Sequence, residues 1–169
     1  RMIMQFTFFI LLLWIFSFIL LNDFSVKSKI YENKDNVLII YPHPDDEALS
    51  CGGFIAKLAK KKTNITYLIL TKGERGVKKN TINKDIKSIR EKEAIKVKNI
   101  LGISKIIHED YGDGQLNKKR EIITRKIESV INSIKPKLII TYDSSGLYGH
   151  PDHILVSEVT TKLVKEKFN

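Results

Sequence analysis

Hydrophobic and polar positions divide the chain into an unbroken apolar stretch and a region that alternates. Residues 2–21 are apolar except for Gln5, Thr7 and Ser17. As a helix this run would rise roughly 30 Å, the thickness of a bilayer's hydrocarbon core. It has no polar face for packing into a soluble core, and no small-x-small cleavage site follows it, so it reads as a membrane anchor rather than a buried helix or a signal peptide. From residue 37 onward, short aliphatic or β-branched runs alternate with longer amphipathic segments. The runs predict strands at 37–41, 65–71, 105–108 and 138–141. The amphipathic segments predict helices at about 47–61, 83–101, 118–134 and 153–167, with Gly102 and Pro136 as stop signals. Strands separated by helices predict parallel pairing through right-handed crossovers. The expected fold is α/β: an open, parallel, Rossmann-like sheet with helices on both faces, preceded by one transmembrane helix. The expected organisation is an anchor at 1–24, a linker at 25–36 and one α/β domain at 37–169.

Length and composition narrow the classes. The chain has 169 residues, 43% hydrophobic and 28% charged, which suits one globular domain rather than a disordered segment. The formal charge of +10 comes almost entirely from lysines spread over the predicted helices. That spacing describes a solvated surface, and no nucleic acid partner is expected. Lys27, Lys29 and Lys34 follow the apolar run and only Arg1 precedes it, so the positive-inside rule puts the remaining chain on the cytoplasmic face of a single-pass protein. The lone Cys51 excludes an intramolecular disulfide. The chain starts at Arg1 and stops in a helical pattern, so truncation at one or both ends is expected.

The chemistry is concentrated at two strand ends. The first strand runs into Tyr41-Pro42-His43-Pro44-Asp45-Asp46-Glu47 and the fourth into Asp143 through His153, which holds Tyr148-Gly149-His150-Pro151-Asp152-His153. A single acidic residue would suffice to cap a helix, so packing and capping do not explain this density. In an open parallel sheet, ligands bind beyond the carboxyl ends of the strands, where both clusters can meet. A catalytic zinc needs about three protein ligands and one open position. His43, Asp46 and His153 would supply such a set, leaving Asp45 and His150 for proton handling. Spacing alone does not decide that division. His108 reads as structural, and Glu47 as a brace or cap for the first helix.

These motifs, with Thr71-Lys72-Gly73-Glu74-Arg75-Gly76 and Arg90-Glu91-Lys92-Glu93, resemble the PIG-L/LmbE-like de-N-acetylases over nearly all of 37–169. The resemblance implies one Zn²⁺ per chain, or another divalent transition metal, held by His43, Asp46 and His153. It implies Asp45 as general base, His150 as general acid or oxyanion stabiliser, and Asp152 orienting His150. Tyr148 would polarise the acetyl carbonyl, and Arg90 and Asp113 would contact substrate. The implied activity is hydrolysis of the N-acetyl group of an N-acetylglucosamine conjugate carried by phosphatidylinositol, inositol or another group. Lys72 departs from the arginine of many relatives. His-Pro-Asp-His, in place of the His-Ser-Asn-His of animal and fungal members, leans towards a prokaryotic type. Other readings are a different metal-assisted hydrolase, or a non-catalytic module at a membrane surface or on nucleic acid.

Overall fold

The computed structural model describes residues 2–21, 35–76 and 85–167, and within the first helix the side chains of residue 5 and residues 7–20. The chain divides into two compact units, 1–31 and 32–169.

In the first unit the apolar run forms helix α1, Met2–Leu21. Its large side chains, among them Phe8, Trp14 and Leu20, are exposed. Among the described residues no helix is long and apolar enough to cross a membrane. This corrects the expected transmembrane helix, and with it the membrane partner and the single-pass localisation. The lysines behind the orientation argument, and most of the expected linker, lie outside the described residues.

The second unit carries the sheet. Strands β1 (Val37–Tyr41), β2 (Ile65–Ile69), β3 (Lys105–His108) and β4 (Leu138–Ile140) alternate with helices α2 (Asp46–Lys60), α3 (Ile86–Leu101) and α4 (Arg120–Ile134). A short helix α5 (Gly146–Gly149) and a long α6 (Pro151–Lys167) follow β4. All pairings are parallel, in the order β3-β2-β1-β4. The register sets Ile39 beside Tyr67 and Ile140. β1 and β2 are buried along their whole length, as expected of strands covered on both faces, and this is why they read as continuous apolar runs. Alternation still assigns the faces: Leu38, Ile40, Leu68 and Leu70 join one core cluster with Ile123, Ile127, Val130 and Ile131 of α4 and Leu155, Val156, Val159 and Leu163 of α6. Ile55 and Leu58 of α2 are buried as well, and α2 packs on β1 and β2.

Boundaries shift at the strand ends. β2 stops at Ile69, two residues early, because Thr71 leaves the ladder: its amide and its hydroxyl both donate to the Pro42 carbonyl, each at 2.9 Å. The loop after β2 is thereby tied to the loop after β1. A 3₁₀ turn, Leu116–Lys119, takes the first residues expected of α4, and α6 begins at Pro151, ahead of His153.

Chain order runs outward from β1 to β3 and then returns to β4 on the other side of β1. The direction of winding therefore reverses between β1 and β4, and a crevice opens beyond their carboxyl ends. Both polar clusters of the sequence lie there.

Ile127 is fully buried and Ile100 is 80% exposed. Ile127→Ala should lower unfolding free energy by about 2–5 kcal/mol, and Ile100→Ala by no more than about 0.5 kcal/mol. Urea denaturation of both variants checks this; equal losses would mean that α4 does not cover the sheet.

Candidate metal centre

The loop after β1 is built around Asp45, which has φ 100° and is the residue before α2. Non-glycine residues in this region carry backbone strain. The buried carboxylate of Glu47 accepts the Asp45 amide at 3.2 Å, and the Tyr67 hydroxyl donates to the His43 carbonyl at 2.9 Å. These contacts hold the loop, so that Glu47 acts as the expected brace. Burial pushes the Glu47 carboxyl up. Asp46 turns back and accepts the His43 amide at 2.9 Å.

The second cluster arrives from β4 and α6. Gly146 has φ 65°, and a Cβ there would lie 2.8–3.0 Å from Ile154 and His153, so only glycine fits. Its carbonyl accepts His153 Nδ1–H at 3.2 Å. That bond fixes the tautomer and leaves Nε2 as a lone pair facing the crevice. His153 is fully buried; burial pushes its pKa down, against the pull of Asp46. Tyr142, just past β4, stacks on the His153 ring at 4.2 Å and 13° and donates its hydroxyl to Asp46 Oδ1 at 2.7 Å.

His43 lies between the clusters and uses both nitrogens. Nδ1 is 3.4 Å from Asp46 Oδ2 and 3.2 Å from His153 Nε2, and His153 Nε2 is 3.4 Å from Asp46 Oδ1. Two ligands bound tetrahedrally at about 2.0–2.1 Å stand about 3.4 Å apart, so these separations suit one zinc ion, with each carboxylate oxygen turned to one imidazole. On the other side, His43 Nε2 is 3.1 Å from Asp113 Oδ1 and 3.3 Å from Asp152 Oδ2. Burial alone would pull the His43 pKa down, but the carboxylates of Asp113, Asp152 and Asp46 outweigh it and hold it up to about 11. In the absence of a cation, then, a proton sits where the donors converge. Asp46 is held below the usual carboxylate range by hydrogen bonds from His43 and Tyr142, although burial opposes them. Two other groupings, His43 with His150 and His153, and His43 with Asp113 and Asp152, bring donor atoms within 4.8 Å of one another. The first uses the more accessible His150. The second uses the His43 nitrogen opposite the Asp46–His153 pair.

A cleft of about 290 Å³ lies over this centre, lined by His43, Asp45, Arg75, Arg90, Tyr148 and His150 among others. A larger groove of about 1100 Å³ beside β4 and the end of α4 contains none of these groups. The Asp45 carboxylate is half exposed. Burial and Asp46 push its pKa up, against Arg90 and His43. His150 Nδ1 accepts the Asp152 amide at 3.2 Å, which leaves Nε2 to carry hydrogen.

Several expected contacts take a different form. The Asp152 carboxylate, expected on His150, instead faces His43 and accepts the amides of Gly114 at 2.7 Å and Leu116 at 3.2 Å. Asp113, expected on substrate, is occupied by His43 and by the Arg75 amide at 2.8 Å. Arg90 lines the cleft but stands 3.6 Å from Asp45 and 3.3 Å from Glu93. Tyr148 is at the rim, 70% exposed. His108 binds the Thr71 carbonyl at 2.8 Å, a structural contact. Tyr142 escapes a motif reading because it precedes the His-Pro-Asp-His cluster and looks like the end of a strand; its signal is its position at a strand's carboxyl end.

Fold and site together define an α/β protein with a cluster of His and Asp side chains able to hold a metal ion, at the switch point of a parallel sheet. The family model described as PIG-L, GlcNAc-PI de-N-acetylase, matches residues 38–164, and the chain belongs to that family. A diacetylchitobiose deacetylase of Thermococcus kodakarensis is 36% identical over 133 residues, which cover 78% of this chain and 49% of that protein. A probable N-acetyl-α-D-glucosaminyl L-malate deacetylase of Bacillus anthracis is 32% identical over 136 residues, covering 78% of this chain and 60% of that protein. The chain thus spans about half the length of the relatives it matches. The solved N,N'-diacetylchitobiose deacetylase of Pyrococcus horikoshii superposes with a TM-score of 0.71 at 24% identity, over 86% of this chain and 60% of that one, a likeness of fold.

Two outcomes follow for the centre. Tyr142→Phe keeps the stack and removes the hydrogen bond to Asp46, so zinc affinity, read by competition with a chromophoric chelator, should fall about 10- to 100-fold; unchanged affinity would detach Tyr142 from the site. At pH 7 the metal-free His43 is an imidazolium, because pH 7 lies below its raised pKa of about 11. A metal ligand must be deprotonated, so zinc uptake should release a proton and tighten as pH rises. Calorimetry in buffers of different ionisation enthalpy measures this, and proton-neutral uptake would remove His43 from the ligand set.

Proposed function

We propose that residues 37–169 form the catalytic domain of a zinc-dependent hydrolase that removes the N-acetyl group from an N-acetylglucosamine conjugate, releasing acetate and a free amino sugar. The observation that carries this reading is the convergence of His43 Nδ1, the Asp46 carboxylate and His153 Nε2 at 3.2–3.4 Å, with Asp45 and His150 at the edge of the same cleft. The family and the deacetylase relatives support the reaction class.

His43, Asp46 and His153 would hold the ion. Zinc so held supplies Lewis acidity towards the amide carbonyl and a lowered pKa for water at its open position. Asp45 takes the proton from the attacking water as the C–O bond forms at the acetyl carbon. Its raised pKa brings it closer to the working pH of a general base. Oxyanion charge develops on the former carbonyl oxygen. His150, with hydrogen on Nε2, donates to it, and the Tyr148 hydroxyl at the rim polarises the same oxygen. The C–N bond then breaks, and the amine leaves with the proton carried by Asp45. Asp113 and Asp152 hold the His43 ring from behind, and the charge of Arg90 positions the Asp45 carboxylate on the side facing the sugar.

Adjacent aspartates should fail differently. Asp46→Ala should lower zinc content, with activity partly restored by excess Zn²⁺. Asp45→Asn should keep the metal and lose roughly 10²- to 10⁴-fold in kcat. Only the ionised Asp45 accepts a proton, so wild-type kcat/KM should fall as pH drops through its raised pKa, and the Asn variant should lack that acidic limb. Metal analysis and pH profiles with a panel of N-acetylglucosaminyl conjugates decide this. Loss of zinc from Asp45→Asn with retention in Asp46→Ala would reverse the roles.

A further inference from the structure

Two arginines line the cleft, and they are not equivalent. Arg90 is engaged: its guanidinium stands 3.6 Å from Asp45, 3.3 Å from Glu93 and 3.2 Å from the Gly76 carbonyl. Arg75 is exposed, and among the described residues its guanidinium has no ion-pair partner. Yet Arg75 is closely placed. Its amide donates to Asp113 Oδ2 at 2.8 Å, and its side chain lies over Gly114, where a Cβ would come within 2.3 Å of Nη1. Gly114 has φ 71°, and its amide is fixed by the Asp152 carboxylate. Asp113 and Asp152 also hold His43. The Arg75 backbone and the glycine beneath its side chain are thus held by the same two carboxylates that hold His43, while the guanidinium itself stays open and lines the cleft in which the substrate would lie.

We propose that Arg75 determines substrate specificity by binding an anionic group, a carboxylate or a phosphate, on the carrier attached to the amino sugar. This rests on the deacetylase reading above. A guanidinium presents five N–H donors in a planar fork that matches either anion bidentately. A neutral carrier, such as a second sugar, leaves that fork unpaired, whereas an anionic one satisfies it. The positive charge of the chain as a whole, +10, favours the same class of substrate.

The test titrates the zinc-loaded full chain calorimetrically with three probes: N-acetylglucosaminyl malate for carboxylate, lipid-free N-acetylglucosaminyl phosphoinositol for phosphodiester, and neutral N,N'-diacetylchitobiose. Wild type should bind at least one anionic probe more tightly than the neutral one. Arg75→Gln should weaken that anionic probe by about 10- to 100-fold and the neutral one by less than about twofold, with Arg75→Lys between wild type and Arg75→Gln. The anionic probe that loses more identifies the anion. Equal weakening of all probes, no weakening, neutral binding as tight as both anionic probes, or no binding at all overturns the assignment. Acetate release is followed in the same samples: selective binding without acetate would refute the deacetylase reading while leaving the anion site in place.

Discussion

The fixation of the His43 ring from both sides is the interaction on which the site depends. An imidazole is a useful metal ligand only when its second nitrogen is held, because otherwise ring orientation and tautomer are free. Asp113 and Asp152 provide that hold at Nε2 and leave Nδ1 to face Asp46 and His153. The carboxylates come from different places: Asp46 starts α2, Asp113 sits in the loop after β3, and Asp152 lies in the first turn of α6. One ring thus joins loops that follow three of the four strands. Like-charged carboxylates crowded around it would repel one another, and the raised pKa of His43 shows how strongly the pocket calls for a positive charge there.

The sheet makes this crowding possible. Parallel strands deliver all their carboxyl ends to one edge, and the reversal of winding between β1 and β4 opens a gap at that edge. Backbone contacts then tie the loops to one another: Thr71 joins the loops after β1 and β2, and the amides of Gly114 and Leu116 seat Asp152. The aliphatic core on the α4–α6 face keeps α6, and so His153, from shifting.

How much of this was legible in the sequence depends on range. Strand and helix identities were, because buried parallel strands read as Val/Ile/Leu runs and Gly102 and Pro136 mark the breaks. The gathering of His43, Asp46 and His153 was legible from two polar clusters at strand ends. The direction in which Asp152 and Asp113 point was not: Asp152 is one residue from His153 and two from His150, but helix geometry turns its carboxylate towards residues 36 to 109 positions away, which no local pattern encodes. The Tyr142 contact with Asp46, across 96 positions, is of the same kind. The run at 2–21 shows the reverse problem. Its uniform apolarity specifies a helix and says nothing of what surrounds it, and the reading as a membrane span did not hold.

The left-handed backbone at Asp45 has a thermodynamic consequence for how this domain can change over time. A conformation of that kind costs roughly 1–3 kcal/mol in a non-glycine residue, a sizeable part of the total stability of a small domain. Glycine at that position would relieve the strain, and Gly is among the commonest ways to make a strained turn comfortable. The carboxylate would vanish with the strain. With Asp45 in the role proposed for it, selection for robustness and selection for chemistry pull position 45 in opposite directions, and a lineage released from that chemistry should lose Asp45 early, drifting to a more stable, inert fold.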